Sequence, residues 1–352
     1  MGKKMKAALF YGARDIRVEE VSVPTVGDEE VLVRVKTALT CGTDLKIFIR
    51  GAHPIIKETP SLFGHEFAGV VEAVGRNVAR FTPGMRVVAA NSAPCGACFY
   101  CRKGRLNLCE RLEFLNGAYA EFIKIPEAIV KRNLHVIPDG VGDMEAALSE
   151  PLACVIHGVE RTPIEPGDTV AVIGAGPIGL MFVALAKMRG ARTIVIGRNR
   201  EKLERARLLG ADHVLSINET SDPEQAIRDL TDERRGVDVV IEAVGLPEIW
   251  ERAMSIVRKG GTVNLFGGCE RGTYVKLDTY KLHYHEMRIL SVFHHTPDHM
   301  AQAMSMIARR DIPVHNLFTH EFALDDIREA FAAMEDREAL KIVVRPGAAG
   351  AS

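Results

Sequence analysis

The stretch Val170-Ala171-Val172-Ile173-Gly174-Ala175-Gly176-Pro177-Ile178-Gly179 decides the reading of the fold. Its four apolar residues form a strand pattern, a GxGxxG follows directly, and Ile178 to Met188 continues with helical periodicity. Gly174 allows the tight turn, Gly176 lets a pyrophosphate approach the backbone, and Gly179 permits close packing of helix on strand. Pro177 and Ile178 open the helix, whose unpaired N–H groups and positive dipole end suit an anion. A glycine turn in some other α/β protein is the competing reading. The strand before the turn and the helix after it favour a dinucleotide site.

Working outward from this turn, apolar strands alternate with amphipathic helices: a strand at Thr193 to Ile196, a helix at Lys202 to Leu209, strands at Val237 to Ile241 and Thr262 to Phe266 around a helix at Glu248 to Val257, and a final strand at Arg288 to Phe293. Repeated units of this kind predict a doubly wound parallel sheet covered on both faces. The first third differs. Alternating runs at Val31 to Val35, Phe67 to Val74, Met85 to Val88 and Tyr119 to Ile125, broken by glycine and proline, predict short antiparallel strands. The last sixty or so residues return to mixed helix and strand, ending in a strand at Lys341 to Arg345 and a small-residue tail, Pro346 to Ser352, expected to be disordered. No repeat of fixed period occurs.

At 352 residues the chain exceeds what one core usually organises, and two domains with a cleft between them are expected. Hydrophobic residues make up 47% and charged residues 26%, which sets aside disordered and fibrous classes. A net charge of −1 removes the electrostatic drive that a nucleic-acid or anionic-membrane binder shows, so neither partner is expected. Met1 to Phe10 has lysines but no apolar run long enough for a signal sequence or span, and a cytoplasmic protein is expected.

Four of the seven cysteines crowd into Cys95-x-x-Cys98-x-x-Cys101 and Cys109. That is not disulfide spacing for a large cytosolic chain; four thiolates on one loop suit a closed, structural zinc site. An iron–sulfur cluster is the rival, because the first three spacings match the bacterial ferredoxin run, although the fourth cysteine is too distant and no proline follows it. A second set is dispersed: Cys41 in Cys-Gly-Thr-Asp, His65 and Glu66 in Gly-His-Glu, and Glu150 in Glu-Pro-Leu. Brought together, these would hold zinc and leave room for a bound oxygen. Taken singly, Cys41 reads as a small buried apolar residue and the acids as surface groups.

Dinucleotide choice depends on the end of the second strand, where an NAD binder places an acid for the ribose hydroxyls. Here Gly197-Arg198-Asn199-Arg200 has arginines and no acid, so NADP is favoured, with Arg198 and Asn199 as contacts. A solvated helix start is the alternative.

These residues carry a resemblance. Cys41-Gly-Thr-Asp, Gly64-His-Glu-Phe-Ala-Gly-Val-Val, the four-cysteine loop, Glu150 and the GxGxxG occur in the order and approximate spacing of the zinc-dependent medium-chain alcohol dehydrogenases, over nearly the whole chain. The chain is most similar to the polyol branch, because Glu150-Pro151-Leu152 stands where other members place a third ligand cysteine. The resemblance implies an α/β protein: a GroES-like, mostly-β catalytic domain from residues 1–151 and 294–352, with a structural zinc loop at 91–110, and a Rossmann domain at 152–293. It implies two zinc ions per chain, the catalytic one on Cys41 and His65 with Glu66 and Glu150 as direct or water-linked ligands, and an NAD(P)-dependent hydride transfer from a secondary alcohol of the polyol or sugar type. The open geometry of that catalytic zinc, with one position kept for substrate, comes with the family resemblance and not from the spacing. A homo-oligomer, dimer or tetramer, is also implied.

The resemblance further assigns Thr43 the hydroxyl that bonds the substrate oxygen and starts a proton relay; a helix-cap hydroxyl is the plainer reading. Where many relatives end the relay in a histidine, this chain has Lys46, which could serve if burial lowers its pKa, or is a surface lysine. Lys341 matches a basic position that approaches the cofactor pyrophosphate, and Val244, Phe266 and Phe293 are expected at strand ends facing the cleft. His283, His285, His294, His295 and His299 match no further metal spacing; His294 and His295 could shape the substrate pocket. Two other classes stay open: a zinc-free or non-catalytic NADP-binding reductase-like protein, against which Cys41, His65 and Glu150 argue, and a metal-binding interaction module built on the cysteine loop.

Overall fold

The structure is a computed structural model that describes residues 2–51 and 55–347. The chain divides into two compact units, Met1–Ala153 with His295–Ser352, and Cys154–His294. The small-residue tail expected to be disordered lies, from residue 348, outside the described residues.

In the second unit, six strands form one sheet in the spatial order His213–Ser216, Arg192–Gly197, Thr169–Ile173, Val237–Glu242, Val257–Leu265, Arg288–Leu290, and every pair is parallel. This is the 3-2-1-4-5-6 order of the Rossmann fold. Thr169–Ile173 is central because its apolar residues are buried on both faces. The strand His213–Ser216 and the helix Pro223–Asp229 were not anticipated from the sequence. That strand lies at the sheet edge with only Leu215 fully buried, so its apolar pattern is too short to stand out. The last strand ends at Leu290, three residues before the expected Phe293, and Phe293 is exposed.

In the first unit, a seven-stranded sheet runs Leu134–Val136, Arg86–Ala89, Glu66–Val74, Val31–Leu39, Lys341–Arg345, Phe318–Ala323, with Phe122–Ile125 also paired to Val31–Leu39. A three-stranded sheet, Asp15–Ser22, Lys4–Gly12 and Ser61–Leu62, accompanies it. The strand expected from Tyr119 starts at Phe122; before it, Tyr119 accepts a backbone bond from Ala8, and Ala120 makes a single bridge to Ala7.

The C-terminal segment belongs to this unit for a packing reason. Phe331, on the helix Ile327–Glu335, sits with its ring centroid 5.0 Å from Phe48, 5.8 Å from Phe63 and 6.2 Å from Tyr119. Residues far apart in sequence thus complete one aromatic core, each ring burying large apolar area. Among the described residues, no helix is long and apolar enough to cross a membrane.

Phe331→Ala is expected to destabilise this unit by about 3–5 kcal/mol through the cavity it leaves. Denaturant unfolding followed by far-UV circular dichroism checks this. Trp250, the single tryptophan, lies in the other unit, so its fluorescence transition should stay near the parent midpoint. Coincident shifts of both signals would refute a local effect.

Candidate active site and metal centres

Strand register gathers the dispersed residues. The C-terminal end of Val31–Leu39 pairs antiparallel on both sides, Leu39 opposite Glu66 on one and opposite Val343 on the other. The residues just past Leu39 therefore meet the start of one neighbour and the start of the other. Cys41 follows Leu39 by two positions, His65 and Glu66 open the second strand, and Lys341 opens the third. Donor atoms of Cys41, His65 and Glu66 lie within 4.8 Å of one another. Cys41 caps the helix Gly42–Arg50: its Sγ accepts the Thr43 N–H at 3.4 Å, and Asp44 Oδ2 accepts the Cys41 N–H at 3.2 Å. Thr43 and Lys46 both stand on this helix, half-buried, Thr43 in its first turn.

The site is charged and buried. Glu66 is 0% exposed and Lys341 3%, and they form a direct ion pair, with Lys341 Nζ also donating to the Thr40 carbonyl at 2.9 Å. Lys341 was expected at the cofactor pyrophosphate. The structure instead commits its ammonium to a buried carboxylate and a carbonyl inside this unit, because the register brings it to Glu66. Burial pushes the Glu66 carboxyl up to about 7, Lys341 and His65 pulling against this and Glu150 adding to it. Burial also acts to lower the His65 pKa, but Asp44 and Cys41 outweigh it and hold the imidazole well above its ordinary value. Asp44 and Cys41 thus favour positive charge at His65, an environment suited to a cation.

Glu150 stands apart from the triple of Cys41, His65 and Glu66, on the helix Ser149–Arg161. It is buried, with Oε1 3.5 Å from His295 Nε2, and His295 Nε2 lies 3.2 Å from Asn91 Oδ1. Glu150 acts on Glu66 and Lys341 electrostatically, without joining that triple.

The four-cysteine loop closes on itself. All four sulfurs lie within 4.8 Å of one another, Cys98 and Cys109 3.8 Å apart. A tetrahedron of Zn–S bonds of about 2.3 Å has edges of about 3.8 Å, so the spacing fits a single tetrahedral ion. It is far too long for a disulfide, whose sulfurs lie about 2.05 Å apart. In an iron–sulfur cluster of the ferredoxin cubane type each cysteine ligates a different iron, which would spread the sulfurs further. Backbone N–H groups of Ala97 and Cys98 point at Cys95 Sγ (3.5 and 3.4 Å), and those of Cys95 and Arg111 at Cys109 Sγ (3.2 and 3.3 Å). Mainly through its N–H partner Ala97, the Cys95 thiol is lowered to about 6, while burial raises Cys101 to about 12. Four thiols so close cannot all ionise without a cation to share them, and this donor set fits one.

In the second unit, Gly174 adopts φ +113° and Gly176 caps the helix Pro177–Met188, with Pro177 at its first position. A Cβ on Gly179 would approach the Gly174 carbonyl to 1.9 Å, whereas one on Gly176 would meet nothing within 4 Å. Gly179 thus serves close packing, and Gly176 borders open space where a phosphate would lie. Val244 flanks this turn, its Cγ2 2.9 Å from where a Gly174 Cβ would be, and its N–H donates to Glu242. Phe266 packs edge-to-face on Phe182 at 4.8 Å, half-buried, and Phe293 is exposed and stacked on His294. Arg198 and Arg200 are exposed just beyond Arg192–Gly197. The Asn199 side chain accepts the Lys202 N–H at 3.1 Å, capping the next helix, so the helix-start reading holds for its carboxamide oxygen.

Sequence reading missed two residues. Asp44 is fully buried, with Oδ1 2.9 Å from His65 Nδ1, and Tyr119 donates to Asp44 Oδ2 at 2.6 Å. An acid three residues after a cap position was a usable signal for Asp44; nothing local marks Tyr119. Of the histidines, His283 sits among Tyr280, Tyr284 and His285 around the helix Thr279–Tyr284, and His299 completes the cap of the helix Pro297–Arg309.

Fold and site together have the make-up of an oxidoreductase, with a dinucleotide-type unit and a cysteine-histidine-carboxylate cluster able to hold a metal. Residues 27–139 match the family described as alcohol dehydrogenase GroES-like domain, and residues 177–309 match zinc-binding dehydrogenase. The chain is 34% identical to sorbitol dehydrogenase of Bacillus subtilis strain 168, covering 98% of each chain, and 34% identical to L-threonine 3-dehydrogenase of the same organism, covering 97% of this chain and 99% of that one. A solved zinc-binding dehydrogenase of Sinorhizobium meliloti 1021, bound to NADP, superimposes with TM-score 0.89 at 30% identity, covering 98% of this chain and all of that one. The chain belongs to the zinc-dependent medium-chain alcohol dehydrogenases and is an enzyme. The non-catalytic and interaction-module readings are not favoured.

Cys41→Ala is expected to bind one metal ion fewer per chain than the parent with a small drop in folding midpoint from the lost helix cap, whereas Cys101→Ser should lose a metal and lower the midpoint further. Elemental analysis with thermal unfolding measures both. Unchanged metal content in Cys41→Ala would remove Cys41 from the ligand set.

Proposed function

We propose that this enzyme oxidises a secondary alcohol of the polyol type, or reduces the matching ketone, with NADP preferred over NAD and two zinc ions per chain. The observation that carries this is the convergence of Cys41, His65 and Glu66 at the buried end of one sheet. These three would hold the catalytic zinc, with Glu150 a carboxylate in reserve near Glu66, and Cys95, Cys98, Cys101 and Cys109 would hold the structural one. When bound, the catalytic metal supplies Lewis acidity to the substrate oxygen.

The chain's own groups do the rest. Thr43, at the start of the helix that Cys41 caps, takes the alcohol proton through its hydroxyl and passes it outward, and Lys46, one turn along, stands at the outer end. Gly174, Gly176 and Gly179, with Pro177 and Ile178, present the helix N-terminus to the pyrophosphate. Arg198 pairs with the 2′-phosphate, while Val244, Phe266 and Phe293 border the nicotinamide. Lys341 balances the Glu66 charge so that one net negative charge fewer accumulates beside the metal.

The polyol reading rests on the likeness to sorbitol and arabinitol dehydrogenases, and the equal identity to a threonine dehydrogenase makes threonine the second substrate to assay. We further place the enzyme in the cytoplasm as a homo-oligomer, a dimer or tetramer. All seven cysteines lie among the described residues and none forms a disulfide, a state that a reducing compartment preserves.

Turnover of NADP and NAD is to be followed by nicotinamide absorbance against polyols, sugars, threonine and simple secondary alcohols. The expected result is activity strongest with a polyol, abolished by a zinc chelator. Absence of chelator sensitivity would sink the metal mechanism. Arg198→Ala should raise the KM for NADP about 10- to 100-fold, the worth of a charge-assisted hydrogen bond, and leave the KM for NAD within about twofold. Equal changes for both cofactors would remove the 2′-phosphate role.

A further inference from the structure

We propose that Tyr119 is a positioning residue for the catalytic metal site: its hydroxyl fixes the Asp44 carboxylate that in turn aims the His65 ring and anchors the Cys41 backbone. This inference rests on the zinc reading above and adds to it a residue that touches neither metal nor substrate.

Three kinds of attachment converge on this one side chain, which is 0% exposed. The hydroxyl donates to Asp44 Oδ2 at 2.6 Å and lies 3.3 Å from the Leu39 carbonyl, at the end of the strand that leads to Cys41. The ring lies against Gly64, the residue before His65. Gly64 has φ +86°, and a Cβ there would come within 2.7 Å of the ring carbons, so only glycine lets the backbone pass this close. The backbone around Tyr119 is bonded to the same segment: Gly117 and Ala118 N–H groups donate to the Gly64 carbonyl at 2.7 and 2.9 Å, and Tyr119 N–H to the Phe63 carbonyl at 2.9 Å.

Asp44 is the common receiver. Its carboxylate accepts the Cys41 N–H at 3.2 Å and faces His65 Nδ1 at 2.9 Å, so its orientation sets two candidate ligands together. A ligating histidine is oriented, and its basicity set, by the partner of its other ring nitrogen. Without the Tyr119 hydroxyl, Oδ2 would keep only the longer bond from Cys41, and a buried carboxylate short of a donor reorients toward another. If Tyr119 served only as core, packed 6.0 Å from Phe63 and 6.2 Å from Phe331, a phenylalanine would replace it without consequence for metal binding.

That contrast is the test. Tyr119→Phe keeps the ring and should keep the fold. In full-length protein with the four-cysteine site loaded, chelator competition should show the second metal held about 10-fold more weakly than in the parent, the scale for outer-sphere partners. Cobalt substituted at that site should show a changed visible spectrum, while the unfolding midpoint of the metal-free protein changes little. In an Asp44→Asn background, Tyr119→Phe should add no further loss, because the two residues act through one carboxylate. Unchanged affinity and spectrum would overturn the inference, as would losses from the two substitutions that simply multiply. A parent chain that takes up metal only at the four-cysteine loop would overturn it by a distinguishable route, through failure of the catalytic-site reading itself.

Discussion

The antiparallel pairing of Val31–Leu39 with both its neighbours is the constraint on which the site depends. Leu39 faces Glu66 on one side and Val343 on the other, and this double register turns a sequence separation of hundreds of residues into one cluster. Side chains alternate along a strand, so a slip of one residue on either side would send Glu66 or Lys341 to the opposite face. The register is held by burial: Ala38, Leu39, Phe67, Val343 and Val344 are all almost wholly removed from water. Hydrophobic packing thus fixes geometry that the polar groups at the strand ends could not impose on themselves.

Those polar groups are a cost that the register makes tolerable. A buried Glu66–Lys341 pair gives up hydration on both partners, and its attraction offsets that only when the geometry is good and the remaining donors are satisfied. Lys341 meets the condition with the Thr40 carbonyl, and His65 and Cys41 meet it through Asp44. Removing either member of a pair like this costs on the order of 3–5 kcal/mol, because an uncompensated charge stays behind. The pair is better understood as an arrangement kept for the chemistry of the site than as a source of stability.

Legibility in the sequence followed how local each feature is. The turn at Gly174 to Gly179 needs only its own strand and helix, and its role was readable from that short stretch. The cysteine loop likewise carries its spacing in one segment, and the sulfur separations add the geometry that favours a single ion over a cluster. The dispersed set was visible as residue types but not as a meeting, and family resemblance rather than spacing joined it. Lys341 shows the limit: a basic residue opening a strand says nothing about the carboxylate two strands over. Tyr119 was readable only as an apolar strand residue, because its hydroxyl partner lies 75 positions away. The edge strand His213–Ser216 failed for a different reason, too few buried residues to make a pattern.

The cysteine loop and the cluster at the sheet end, the two sites proposed to hold zinc, differ in a way that follows from their donors. In the cysteine loop, backbone N–H groups from the same loop point at the sulfurs, so the thiolate charge is met locally and all four positions around an ion are filled by protein. Such a site is closed and holds its loop in shape. At the sheet end, Glu66 is met by a lysine and Glu150 by a histidine from elsewhere in the chain, and among the described residues Cys41, His65 and Glu66 converge. Cys41, His65 and Glu66 would hold a metal with fewer protein donors than the cysteine loop, and the one carboxylate among them already has a partner in Lys341. Donors drawn from one loop suit a structural role and donors gathered from distant strands suit turnover, which is the division of labour proposed for the two clusters.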